Sequence, residues 1–600
     1  MSLIEDLTRA IDIQQARQNS DYKELMQKPL AERVAKGYTI PNIDIKVEFS
    51  PYISGFVEKV FAKVQDNYSK FRVGDQVFLC NGGIKLTMKI EEDLINDLVL
   101  SSNDFWKDHN FLDEDDYPKH GWIIEKEHLT ITQELLSASR DSIMQNSELC
   151  RRMDSMLHGG LRSTYSRAIV QPSNNVSQDE AVEKALGCST FHLIQGPPGT
   201  GKTYTLARIV KTLLLNGKKV FVTAPTHTAI NNSLNAISKE VPDMSKIVKL
   251  GDKHQAEEIL GNTFISRATK LPFSQYLNLS DRLSQSGIVI GATPFALCTP
   301  RSKKLDGWFF DYVIIDEAAQ MSMPLALAAM TRGQKIIFVG DHKQLDPIMP
   351  SGTGNWLFSK SIFKYMVDMY PDNVTMLNRS YRLSESLVRI PSQLFYDGRL
   401  KTARNYDNRE YLNFDCSGEV ATILHEQSNE VLYLHHEFDA LGRSPYEAKL
   451  TASLVSSLLD NGITLEKIAI ITPYRAQVRE IKKALMLNHI INEDSLDAVF
   501  VDTIERMQGQ ERDYVIFTLA NSNPSEVEDR LEFFYSPNRL NVAITRAKTK
   551  CIVIANEKVF QLCRDSRQTG PVGVGQKAYW DFFNLSTKIY DGGDPDEDQW

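Results

Sequence analysis

Gly196-Pro197-Pro198-Gly199-Thr200-Gly201-Lys202-Thr203 fits the pattern G-x-x-x-x-G-K-[ST], between the apolar run FHLI and the amphipathic stretch TYTLARIVKTLLL. Strand, glycine-rich loop and helix start in that order form a phosphate cradle. The glycines let backbone N–H groups turn inward, and the helix N-terminus adds partial positive charge. Lys202 would then reach the β- and γ-phosphates, and the Thr203 hydroxyl would hold Mg²⁺. A hydroxyl alone does not hold that ion. The run Asp311-Tyr-Val-Ile-Ile-Asp316-Glu317 supplies the carboxylate, because an apolar strand delivers two acids at its carboxyl end, where open α/β sheets bind ligands. Asp316 would face the metal, and Glu317 would orient or deprotonate an attacking water. A solvated strand end is the plainer reading of a lone Asp-Glu pair, and the phosphate loop upstream argues against it.

Elements to position these groups are visible around them. From Phe191 onward, short apolar runs alternate with helix-compatible stretches: FHLIQG, KVFVTAP, GIVIGAT, DYVIIDE and KIIFVGD, then EVATILHE, EKIAIITP, DAVFVDT, RDYVIFTLA and TKCIVIAN. Such runs predict parallel strands buried on both faces, in two tandem α/β domains. The first is expected over 175–350 with a helical insertion at 252–286, the second over 372–565, and a linker at 351–371 begins with SGTGN. Upstream, an N-terminal helical segment (1–49) precedes a small β domain (50–130). One long amphipathic helix opens a connector at 131–174. A C-terminal segment, 566–600, ends in an acidic tail.

Composition bounds the rest. The chain has 600 residues, 42% hydrophobic and 24% charged, which is near the globular average. Its longest apolar stretch, Met321–Met330, is too short to span a membrane. The seven cysteines form no CxxC pair, so a disulfide framework or zinc finger is not expected. An intracellular, soluble protein follows, cytoplasmic or nuclear according to source. The net charge of −9 does not exclude a nucleic-acid partner: Asp113–Asp116 and the last ten residues carry nine acids between them, and a groove needs only local positive potential.

A phosphate loop is shared by kinases, transporters, GTPases and motors. The blocks DEAAQ (316–320), VGDHKQLDPI (339–348), SYRLSESL (380–387), PSQLFYDGRL (391–400), ITPYRAQV (471–478), VDTIERMQGQERD (501–513) and RLNVAITRAK (539–548) narrow the choice. This ordered series resembles the superfamily 1 helicases, in particular the superfamily 1B family of the nonsense-mediated-decay and immunoglobulin mu-binding helicases. The resemblance spans about 175–560. It implies two RecA-like domains and an ATP-dependent motor that moves 5′→3′ on single-stranded nucleic acid as a monomer, DNA being favoured over RNA. A nucleic-acid clamp or nucleoprotein remodeller without processive unwinding remains the alternative.

Carried onto matching positions, the resemblance implies that Gln178, eighteen residues before Gly196, reads adenine and that Tyr381 stacks on the base. It implies that Gln344 contacts the γ-phosphate, that Arg382 and Arg546 reach it from the second domain, and that Glu511 belongs to a block spanning both ligand sites. Pro225, Thr226, His227, Thr293, Pro294, Thr472, Tyr474 and Thr503 are the positions matched to strand contacts. Hydroxyls, N–H groups and aromatic faces there suit sequence-blind binding. Ser380 stands where the family has glutamine before Tyr-Arg, and no cysteine/histidine-rich zinc domain or nuclease block is present. PLAERVAKG and FRVGDQVFL resemble the family's helical start and β-barrel insertion.

Overall fold

The computed structural model describes residues 3–35, 37–51, 53–64, 69, 71, 75–93, 97–102, 110–126, 131–243, 246–250, 264–265, 287–295, 309–347, 355–404, 414–437, 442–492, 498–522 and 531–591. The chain separates into two compact units. One comprises 14–130 with 474–483, and the other comprises the remaining stretches 1–13, 131–473 and 484–600.

The smaller unit contains a closed antiparallel barrel of β1 (Thr39–Phe49), β2 (Val57–Lys63), β3 (Gln76–Asn81), β4 (Ile84–Asp93), β5 (Asp97–Ser101) and β6 (Trp122–Lys126), in the order β1-β2-β5-β4-β3-β6. Alternate side chains fill it, among them Val60, Ala62, Leu79, Leu86, Leu100, Trp122 and Ile124. The barrel begins at Thr39 rather than at 50. Pro41 and a left-handed Asn42 interrupt the alternation of β1 and hide it in the sequence. Arg475 donates to the Phe71 carbonyl at 2.6 Å within this unit.

The larger unit holds two parallel sheets. The first contains β7 (Phe191–Gln195), β8 (Lys219–Thr223), β9 (Ile247–Lys249), β10 (Phe264–Ile265), β11 (Ile288–Gly291), β12 (Phe310–Ile315), β13 (Gly333–Gly340) and β14 (Val374–Met376), in the order β10-β9-β11-β8-β12-β13-β7-β14. Successive side chains enter opposite cores: Phe191, Leu193, Val313 and Phe338 on one face, Ile194, Val220, Ile314 and Ile337 on the other. This is the double burial expected of unbroken apolar runs. β15 (Arg379–Ser380) and β16 (Lys401–Thr402) form a two-stranded pair. The second sheet contains β17 (Glu430–His435), β18 (Ile468–Thr472), β19 (Phe500–Thr503), β20 (Arg512–Thr518), β21 (Ala547–Asn556) and β22 (Thr587–Tyr590), in the order β19-β18-β20-β21-β17-β22.

Several boundaries differ from expectation. The first domain continues through the expected linker: the helix Ile362–Met369 packs into its core, and β14 pairs with β7. EVATILHE lies in a helix, Gly418–His425, while the neighbouring EVLYLH is the buried strand β17. Two adjacent short apolar runs look alike in period, and only pairing with β21 separates them. The long connector helix is two, Ile131–Met144 and Ser147–Leu157, because Asn146 caps the second by accepting from the N–H groups of Glu148 and Leu149. The second domain extends to 590, since the helix Gly570–Leu585 leads into its edge strand β22. The expected insertion, apart from Phe264–Ile265, and the tail beyond Asp591 lie outside the described residues.

Candidate active site

The loop 196–201 joins β7 to the helix Lys202–Leu215, whose N-cap is Gly201. Gly199 and Gly201 have φ of +71° and +81°, in the left-handed region. Neither has room for a side chain. A Cβ on Gly199 would lie 2.5 Å from Arg382 Cβ and 2.7 Å from Ser380 Oγ, and one on Gly201 would lie 2.6 Å from Gln178 Nε2. Lys202 Nζ donates to the Gly196 carbonyl at 2.9 Å, and the Thr200 hydroxyl donates to the Pro197 carbonyl at 2.8 Å.

Gln178 is buried in the helix Val176–Gly187, and its amide donates to the Thr200 carbonyl at 3.0 Å. Asn175, which caps that helix, donates to the Tyr381 hydroxyl at 3.1 Å. Half of Tyr381 remains exposed. Its backbone N–H donates to the Gly199 carbonyl at 2.7 Å, and the Ser380 hydroxyl donates to the Pro198 carbonyl at 2.9 Å. Ser380 thus makes a contact of its own with the loop. A cavity of about 370 Å³ adjoins this region, lined in part by Ser173, Asn174, Tyr204 and Arg208.

Asp316 and Glu317 leave the end of β12. Glu317 sits at φ 49°, ψ 39°, a left-handed conformation that costs a non-glycine residue about 1–2 kcal/mol and turns the two carboxylates apart. Asp316 is buried and accepts from Ser233 Oγ at 2.5 Å and from the Glu317 N–H at 2.9 Å. Burial first, and then the Glu317 charge, push its carboxyl up to about 6, against the opposing pull of Lys202. Glu317 accepts from Gln320 Nε2 at 3.0 Å.

Two arginines lie near these groups, Arg382 beside Gly199 and Arg546 within reach of the Glu317 charge. Arg382 donates through Nε to Glu511 at 2.5 Å and through Nη1 to the Thr545 carbonyl at 3.2 Å. Lys548 also pairs with Glu511, at 2.8 Å. Burial raises the Glu511 carboxyl, but the two cations outweigh it and bring it down to about 2. Glu511 is therefore placed on Arg382 and Lys548. Arg546 is almost wholly buried; its Nε donates to the Val542 carbonyl at 2.9 Å, and Nη2 reaches Gln344 Oε1 at 3.3 Å. Burial and the Arg382 charge draw its guanidinium down to about 9, while Glu317 opposes them. Gln344 donates its amide to Asp341 at 2.8 Å.

The other sequence-predicted positions lie at strand ends. Pro225, Thr226 and His227 follow β8, and Thr293 and Pro294 follow β11, its neighbour in the sheet. Thr226 caps the helix His227–Glu240 through its hydroxyl, and His227 Nδ1 lies 3.1 Å from Lys249 Nζ. Thr472 and Thr503 end β18 and β19 and are direct register partners. Thr293, Pro294, Thr472 and Thr503 are buried, whereas Thr226 is exposed. Tyr474 falls in the barrel-containing unit. Sequence reading assigned no role to Asp341, Tyr396 or Asn541, although each lies within a recognised block; what links them is contact between distant segments.

Two parallel sheets, with a phosphate loop after β7 of the first and Arg546 leading into β21 of the second, define a tandem RecA-like P-loop fold. The family described as AAA domain matches residues 173–414 and, in a second form, 358–558. The chain is 30% identical over 409 residues to the DNA replication ATP-dependent helicase/nuclease DNA2 of Saccharomyces cerevisiae, covering 64% of this chain and 26% of that protein. It is 26% identical over 489 residues to an uncharacterized ATP-dependent helicase of Methanocaldococcus jannaschii, covering 67% of this chain and 70% of that one. Among solved structures, the Arterivirus nonstructural protein 10 helicase aligns with a TM-score of 0.37 and 13% identity, over 88% of this chain and 80% of that one. These matches support a superfamily 1 helicase. It spans about a quarter of the length of the yeast relative.

Proposed function

We propose that the protein is an ATP-dependent helicase or translocase that moves 5′→3′ on single-stranded nucleic acid, DNA in preference to RNA. The observation that carries this reading is the approach of two arginines from the second half: Arg546 reaches Gln344 at 3.3 Å and feels the Glu317 charge, and Arg382 packs beside Gly199 of the loop. Phosphoryl transfer places charge on equatorial oxygens, and an arginine finger contributes about 10³–10⁵ in rate. Fingers supplied from the second domain make turnover depend on closure, which couples hydrolysis to movement.

The chain's own residues fit Mg²⁺. Asp316 and Thr203 offer hard oxygen donors, and the buried Asp316 carboxyl, crowded by Glu317, favours a cation beside it. When bound, the ion would neutralise phosphate charge. Lys202 would hold the β- and γ-phosphates, Glu317 would orient the attacking water, and Gln344 would contact the γ-phosphate. Gln178 and Tyr381 would take the base. Glu511 holds Arg382 in reserve for the phosphate. The exposed Thr226, with His227, would touch the strand, and the buried threonines would shape its track. DNA is favoured because the yeast relative is named for DNA replication.

Steady-state ATPase assays with and without single-stranded DNA or RNA, beside unwinding of 5′- and 3′-tailed duplexes, test the reading. The expected result is stimulation by DNA and opening of only the 5′-tailed duplex. Stimulation without opening would favour a clamp or remodeller, and no stimulation by either polymer would remove the nucleic-acid assignment.

A further inference from the structure

The buried carboxylate of Asp341 takes three hydrogen bonds from its own half and one from the second RecA-like half. One oxygen accepts from Gln195 Nε2 at 3.3 Å and from the Lys343 N–H at 3.2 Å. The other accepts from Gln344 Nε2 at 2.8 Å and from the Tyr396 hydroxyl at 2.6 Å. Tyr396 in turn accepts from Asn541 Nδ2 at 2.8 Å, and that same amide donates to the Lys343 carbonyl at 2.7 Å. Among the described residues no cationic side chain pairs with Asp341, so neutral donors satisfy its charge. The phenol of Tyr396, fully buried against that carboxylate, is held well above its ordinary range and stays a donor.

The arrangement fixes a polarity. A glutamine amide can present either its oxygen or its NH₂ group, and only the oxygen can receive a guanidinium. Because Asp341 takes the NH₂ of Gln344, the oxygen faces Arg546, which it meets at 3.3 Å. Asp341 is in turn steadied from the second half by Tyr396, the C-cap of the helix Glu385–Phe395, whose hydroxyl is held by Asn541 on the helix Pro537–Ile544. Asn541 lies one turn before Thr545 and Arg546, and its carbonyl accepts from the Thr545 hydroxyl at 2.6 Å. Arg546 and the support of its partner therefore belong to one short segment.

We infer that Tyr396 and Asn541 are positioning residues for ATP hydrolysis: through Asp341 they hold the Gln344 amide with its oxygen towards Arg546. This rests on the ATPase reading above. A double-mutant cycle on kcat under saturating polynucleotide tests it. Removing one hydrogen bond to a charged group is worth roughly tenfold in rate. Tyr396→Phe should lower kcat about tenfold with KM for ATP within about twofold, and the Tyr396→Phe/Gln344→Ala double variant should match Gln344→Ala alone, because no amide remains to orient. A full-speed Tyr396→Phe, or a double variant that loses the product of the two single effects, would overturn the inference and leave Tyr396 a packing residue. Asn541→Ala, run through the same cycle, decides the matter if Tyr396→Phe melts early. A wild-type protein that failed to hydrolyse ATP would instead defeat the ATPase reading, before any variant was compared.

Discussion

The two sheets contribute to the nucleotide site by different means. The first works through backbone: a loop of glycines leaves β7, a left-handed Glu317 splits the acids after β12, and the contacting atoms are largely main-chain. The second half works through paired side chains. Arg382 leans on Glu511, and Arg546, immediately before β21, rests against Gln344. A backbone cradle exists whenever the first domain is folded. Charge-held arginines count only when docked. Binding should therefore depend on the first half and turnover on both.

The largest effect that could break this contrast is expected at Lys202→Ala. Loss of the ammonium from the cradle should abolish both nucleotide binding, read by fluorescent-nucleotide titration, and turnover. Arg546→Ala should separate the two, with kcat falling about 10³-fold while nucleotide affinity changes little. If that variant hydrolysed ATP at the wild-type rate, the cross-cleft argument would be wrong. Glu511→Gln keeps an acceptor for Arg382 but removes the charge, so kcat should fall by about tenfold or less.

The smallest effect lies in the second sheet alone. Burial pushes the Glu430 carboxyl up to about 7, with Ser586 donating to it at 2.9 Å. Between the unfolded value near 4.5 and about 7, the folded state holds that proton more firmly. This stabilisation is complete below the unfolded value and is lost as pH rises through 7. Raising pH from about 5 to 8 should thus lower the wild-type Tm more than that of Glu430→Gln, read by thermal melts at each pH.

Much of the first half was legible from sequence, because a phosphate loop and a strand ending in Asp-Glu are local features whose spacing carries their geometry. The strand runs of the first sheet were legible for the same reason. The second half was less so. EVATILHE and EVLYLH compete for one strand position, and β22 is visible only through its pairing with β17. Asp341, Tyr396 and Asn541 escaped because their meaning lies in contacts between segments 55 and 145 residues apart. Ser380 reads as a departure from the family pattern, yet its hydroxyl reaches the loop.

The bonds from Tyr381 and Ser380 to Gly199 and Pro198 also bear on timing. A loop fastened to the opposite half cannot slacken by itself, so the dwell of spent nucleotide is tied to the lifetime of that seam. The clock of such a machine would then be wound at two main-chain carbonyls.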